Sequence, residues 1–205
     1  MRIAVKETEV FEYHELSEQA KENALDAYVE NGLFWDWHET TIDDFKKALE
    51  ALGFINIDIQ FSGFYSQGDG LSFTASFPYL LEDWRKALES IYHDEAFLDL
   101  GAELVRLQEE LLRLDYDYDP DDFSFQVVRD SVHYCHEKTV YADFHLQMNK
   151  ELEKIERDVT EAIWDTCIDL YHFLRKEYEE ITSPSYFAEL CEINQWEFTE
   201  NGDIY

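Results

Sequence analysis

The sequence predicts an α+β protein, an antiparallel sheet made from two hairpins and packed with about six helices. Three observations predict it. Apolar residues recur at helical spacing in several long segments. They alternate strictly with polar residues in two pairs of short segments. Each such pair is close enough in the chain to close a hairpin, which makes its strands antiparallel.

Val10–Leu16 reads as a short strand or extended segment. Ser17 caps a helix through Asn31, with Ala20, Ala24, Leu25 and Tyr28 as its apolar stripe and Gly32 as its stop. A second helix covers Trp35 to Leu52. Its face is Ile42, Phe45, Leu49 and Leu52, and Gly53 ends it. The period then changes. Ile55, Ile57, Ile59 and Phe61 alternate with Asn56, Asp58, Gln60 and Ser62, and Leu71, Phe73, Ala75 and Phe77 alternate with Ser72, Thr74 and Ser76. These are two half-buried strands joined by the loop Phe64–Gly70, with Pro78 closing the pair.

Helical period returns from Tyr79 to Tyr92 and from Phe97 to Leu114. In the latter, Leu100, Leu104, Leu107, Leu111 and Leu114 draw a narrow seam, too short for a coiled coil and better read as a core-facing helix. Phe123, Phe125 and Val127 mark a third strand, and Ala142, Phe144, Leu146 and Met148 a fourth. The order helix–helix–hairpin thus occurs twice, as an internal duplication would give. One long helix follows from Lys150 to Glu180, its core stripe being Leu152, Ile155, Val159, Ile163, Leu170 and Leu174. Ser183-Pro184 starts a last helix to Ile193. Trp196–Phe198 and the Asn201-Gly202 turn finish the chain as an edge strand. A single domain over residues 1–205 is expected, divisible into halves 1–92 and 93–205.

The 205 residues carry 16 Lys+Arg against 47 Asp+Glu, a net charge of −31. That excludes direct binding to bare DNA or RNA and to anionic membranes, because phosphate contacts need cations to displace counterions. It does not imply disorder, since 45% of residues are hydrophobic and 16% aromatic. The excess is −8 over residues 1–50, −6 over each of 51–100 and 101–150, and −11 over 151–205, so it decorates the fold and is not a tail. Cys135, Cys167 and Cys191 are odd in number and lack CxxC spacing, which fits a reducing cytoplasm. The first residues have no apolar run of a secretory signal, and no apolar stretch approaches membrane-spanning length.

Asp115, Asp117, Asp119 and Asp121 sit at alternate positions, as in a calcium loop. Pro120 stands where that loop needs glycine and Gln126 where it needs a bidentate glutamate, so an acidic solvated loop is the better reading. His133, Cys135, His136 and His145 lack the spacing of a zinc site, and packing around a thiol accounts for them as well. No nucleophile elbow, HExxH, GxxxxGK or strand-borne GxGxxG occurs. The expectation is therefore a non-enzyme with no cofactor and no metal.

Phe61-Ser-Gly-Phe-Tyr-Ser-Gln-Gly-Asp-Gly-Leu-Ser-Phe73 is the most distinctive stretch. Gly63, Gly68 and Gly70 permit positive φ or close backbone approach, and Gln67 and Asp69 can satisfy loop amides. The stretch resembles a family of largely uncharacterised phage and prophage proteins with an SGFxSQGDGxSF hairpin. The helix opening Leu16–Ala24, the Tyr134-Cys135-His136 segment and the closing Glu197–Gly202 are similar to that family too. The resemblance implies an origin in a mobile element and a place in the cytoplasm of a host cell. It transfers no catalytic residue.

On the long helix, Asp158, Glu161, Asp165 and Asp169 are 3, 4 and 4 residues apart. At ~1.5 Å rise per residue their carboxylates stand about 5–6 Å apart, a scale comparable with the phosphate row of one DNA strand, which advances ~3.4 Å per base along the axis. With the phage-like hairpin, this suggests a DNA mimic that binds and inhibits a basic host nucleic-acid-binding protein, a restriction or CRISPR effector. The stripe is the first candidate contact and the Asp115–Asp122 loop the second, with Tyr116 and Tyr118 able to add stacking contacts. The other readings are a non-mimic interaction factor, antitoxin-like or serving host takeover through the shape of the hairpin, and an enzyme of unknown chemistry.

Overall fold

The structure is a computed structural model describing residues 8–31, 36–78, 83–91, 95–113, 124–130, 134–144 and 150–205. Among these residues are the helices α1 (Glu18–Glu30), α2 (Glu39–Ala51), α3 (Trp84–Ile91), α4 (Glu95–Arg113), α5 (Lys150–Ile181) and α6 (Pro184–Asn194). The strands are β1 (Phe11–Glu12), β2 (Ile55–Ser62), β3 (Gly70–Phe77), β4 (Phe125–Arg129), β5 (Val140–Phe144) and β6 (Glu197–Phe198). The protein is α+β with antiparallel sheets, as its periodicities predict. No described helix is long and apolar enough to cross a membrane.

Packing divides the chain into a terminal unit, residues 1–37 with 175–205, and a sheet unit, residues 38–174. The boundary falls inside α5 and not between residues 92 and 93, so the division does not follow the repeated helix–helix–hairpin order.

In the sheet unit both hairpins belong to one sheet of order β2-β3-β4-β5. Phe77, Phe125 and Phe144 lie directly opposite one another on successive strands. Their ring centroids are 4.9 and 5.1 Å apart, and Phe54 extends the row at 4.9 Å from Phe77. Cross-strand aromatic pairs of this kind add packing energy beyond their burial. All four rings are buried.

The edge strand β2 departs from the simple alternation. Ile55 pairs with Ser76 whereas Asp58 pairs with Thr74, so one extra residue bulges between them. Asn56 takes φ 55° there, a left-handed conformation that asparagine tolerates better than most residues. The bulge shifts Ile55 off the face shared by Ile57, Ile59 and Phe61, and it is 49% exposed. Its place in the alternation is corrected accordingly.

The other edge, β5, is covered by α5 through three side chains spaced four residues apart. Glu156 Oε1 accepts from Phe144 N at 3.2 Å, and Thr160 Oγ1 accepts from Ala142 N at 3.0 Å. Trp164 Nε1 donates to the Val140 carbonyl at 2.7 Å. Four helical residues rise ~6 Å and two strand residues ~6.6 Å, so the stripe and the strand edge stay in step. The arrangement satisfies backbone groups that would otherwise be open to another strand.

The terminal unit pairs β1 with β6, Phe11 opposite Phe198 and Glu12 opposite Glu197. Its core is Leu16, Ala20, Ala24 and Tyr28 against Phe187, Cys191 and Phe198. The two predicted caps are present. Ser17 Oγ accepts from Ala20 N at 3.2 Å and Ser183 Oγ from Tyr186 N at 3.2 Å, with Pro184 in the first turn. Gly202, at φ 94°, lies so close to α1 that a Cβ there would come within 2.1 Å of the Ala20 carbonyl oxygen. Only glycine fits this contact.

Candidate functional site

Leu100, Leu104 and Leu107 bury one face of α4 completely, and Asp99, Glu103 and Arg106 lie together on one flank of that face. On α5 the buried stripe through Val159, Ile163 and Leu170 leaves Glu161, Asp165 and Asp169 exposed. The two polar sides border one groove of about 780 Å³. Among the described residues six carboxylates line it, those of Asp99, Glu103, Asp158, Glu161, Asp165 and Asp169, against the cations Arg106 and Lys154.

Arg106 ties the walls together. Its guanidinium bonds to Asp158 across the groove and lies 3.0 Å from Glu103 on its own helix. Arg113 makes a second tie, to Glu110 at 2.7 Å and Glu151 at 3.1 Å. Asp158, with its side chain 27% exposed, is thus committed to holding the helices together. Glu161, Asp165 and Asp169 are exposed and form the outward row. An array of this kind attracts cations and basic surfaces. Among the described residues no group of three or more His, Cys, Asp or Glu side chains is placed to hold a metal ion.

The signature hairpin is locked by one carboxylate. Asp69 Oδ2 accepts from Tyr65 N at 2.9 Å and from Ser66 N at 2.6 Å, so the loop amides are satisfied from within. Gln67 is exposed and takes no part in this bonding. Gly68 has φ 92°. Gly70 packs against the 134–136 segment so closely that a Cβ would sit 2.6 Å from His136 Cα. Gly63 lies against the Asp69 carboxylate, and its carbonyl accepts from the Tyr171 hydroxyl at 3.3 Å. The residues of this motif therefore build and seat a loop.

A family model described as Domain of unknown function (DUF8835) matches residues 37–184. The chain belongs to this family. No curated protein and no solved structure matches it. The DUF8835 match takes in the hairpin, the whole four-stranded sheet, α4, α5 and the acidic groove, and leaves β1, α1 and β6 outside.

Within the DUF8835 span the predicted stripe of α5 is assembled as a face, with Asp158 drawn inward by Arg106. Asp115, Asp117, Asp119 and Asp121, with Tyr116 and Tyr118, lie outside the described residues, as do His133, His145, Leu114, Phe123, Leu146 and Met148. His136 Nδ1 accepts from Lys138 N at 3.2 Å and so caps a short 3-10 turn. Sequence reasoning missed Asp99 and Glu103. Their spacing of four on one flank of the leucine seam was the available signal, but nothing local to α4 states that this flank borders α5.

Proposed function

We propose that this DUF8835 protein binds and inhibits a basic nucleic-acid-binding protein by offering it an acidic surface in place of nucleic acid, a restriction or CRISPR effector of a host cell being the target class. The observation that carries the reading is the outward row Glu161, Asp165 and Asp169 on one rigid helix, doubled by Asp99 across the same groove. Residues three and four apart on a helix face the same way, and like charges so placed cost a few tenths of a kcal/mol per pair. A basic channel repays that cost. A molecule of net charge −31 also steers toward such a channel from a distance.

The second reading is docking by shape through the signature hairpin, favoured by Tyr65 and Tyr134, which are 70% and 58% exposed at that loop. Affinity capture from host lysate in low and high salt separates the two. Mimicry predicts a captured protein that binds nucleic acid, is released by ~0.5 M salt, is competed off by duplex DNA, and is lost with Asp165→Lys/Asp169→Lys. Salt-insensitive capture of a partner with no affinity for nucleic acid would sink the mimic and favour the hairpin.

A further inference from the structure

The terminal unit holds a second groove, between α1 and α6, of about 1350 Å³. On the α1 wall Glu18, Glu22 and Asp26 stand four residues apart on one stripe. Glu12 and Glu197, directly opposite each other in the β1–β6 pair, and Glu192 of α6 complete the rim. Like charges at helical spacing and across a strand pair are both unfavourable. Among the described residues the basic side chains lining this groove are Lys21, bonded to Glu18 at 2.9 Å, and His14, whose Nδ1 lies 3.3 Å from Glu12.

The floor is different in kind. Tyr13, Leu25, Ala188 and Trp196 line it and are half-buried. Its rings are fixed from below, since Tyr13 meets Phe187 edge-on at 5.3 Å and Trp196 lies 6.2 Å from the same ring. An apolar floor held rigid needs little ordering when it is covered. The α1 wall runs from Glu18 to Asp26, about two helical turns or ~12 Å.

We propose that the α1–α6 groove docks a Lys/Arg-rich amphipathic helix of a protein partner, its apolar side on the Leu25–Trp196 floor and its cations on the rim carboxylates. Simple cations would leave the apolar floor unused, and a second copy would bring −31 against −31. Helix-in-groove recognition lays the apolar face of an amphipathic helix in an apolar trough, and the rim carboxylates complement cations on the flanks of that helix.

The test is fluorescence anisotropy of a labelled helical leucine–lysine peptide of about four turns with the full-length protein. The triple variant Glu18→Gln/Glu22→Gln/Asp26→Asn is expected to weaken binding about tenfold. Ala188→Tyr, which fills the floor without altering charge, should weaken it comparably, and Glu50→Gln/Glu89→Gln, at exposed carboxylates that line neither groove, should change it less than about twofold. The three rim residues are exposed, so their replacement tests the groove independently of packing at Ala188. Equal binding of a scrambled peptide, or an equal loss with the Glu50/Glu89 pair, would overturn the proposal by reducing it to net charge. Self-association abolished by Ala188→Tyr would overturn it in favour of a second copy. None of these outcomes depends on the reading of the α4–α5 groove, which nuclease capture tests separately.

Discussion

Cys167 has no exposed surface, and burial pushes its thiol up to about 12, while burial pushes Cys191 up to about 11. Neither is a thiolate at neutral pH, which removes both as nucleophiles. Burial also raises the Tyr13 and Tyr28 hydroxyls. All four groups hold their protons more tightly folded than unfolded, so the unfolded chain releases them first as pH rises. The contribution of the two thiols to stability is complete below their ordinary value of 9.0 and is lost toward 11 for Cys191 and 12 for Cys167. Urea midpoints measured across alkaline pH should therefore fall steadily above about pH 9; a level profile would contradict the burial argument. Native alkylation at pH ~8 should mark Cys135, the half-buried thiol, and spare the other two until urea is added.

The ladder from α5 to β5 is the element whose geometry makes the strongest demand. Its middle rung is Thr160, itself buried, whose Oγ1 accepts from the buried Ala142 N–H. Thr160→Val keeps the shape and deletes the acceptor, leaving an amide without a partner, at a cost of about 1–3 kcal/mol. Thr160→Ser retains the oxygen and should recover most of that loss. Chemical denaturation of the two variants checks it, and equal stability of both would mean that the rung contributes nothing. The upper rung has a further partner, since Lys138 Nζ lies 3.7 Å from the Trp164 ring centroid. The same helix presents Glu161, Asp165 and Asp169 elsewhere around its circumference, so the side chains that hold it to β5 also fix where that row points.

Over the whole molecule, 47 acidic side chains oppose 16 basic ones. Among the described residues the ion pairs are mostly short-range and exposed, as in Lys47–Asp44 and Arg175–Glu179, and each contributes little. Self-repulsion is therefore largely uncompensated and must be outweighed by the core. Screening should relieve it. Raising NaCl from ~10 mM to ~0.5 M is expected to lift the melting temperature by about 3–6 °C, the size that ~1.5 kcal/mol gives at this length. Calorimetry at the two salt concentrations decides it, and a fall in melting temperature would show that the ion pairs outweigh the repulsion.

Local features were legible because they are written in neighbouring residues. Ser17 and Ser183-Pro184 announce their helices, Gly53 and the Gly68-Asp69-Gly70 loop announce their turns, and period two or period 3.6 separates strand from helix. The net charge and its spread over the folded segments were equally plain. The bulge at Asn56 was not, because a register slip depends on what β3 offers across the ladder. The joining of the hairpins through β3 and β4 was not, because hydrophobic alternation names a face without naming a neighbour. Asp158 read as one more carboxylate of a stripe until Arg106, 52 residues away in sequence, took it. So the sequence by itself determined the type and order of the main elements, the two serine caps and the acidity of the surface, which are short-range or summed properties. The start of α2 at Glu39 and the 3-10 turn Tyr13–Glu15 departed from the predicted bounds. Only the tertiary structure decided which carboxylates share a groove and which are spent on holding it together, because those pairings are made between segments far apart in the chain.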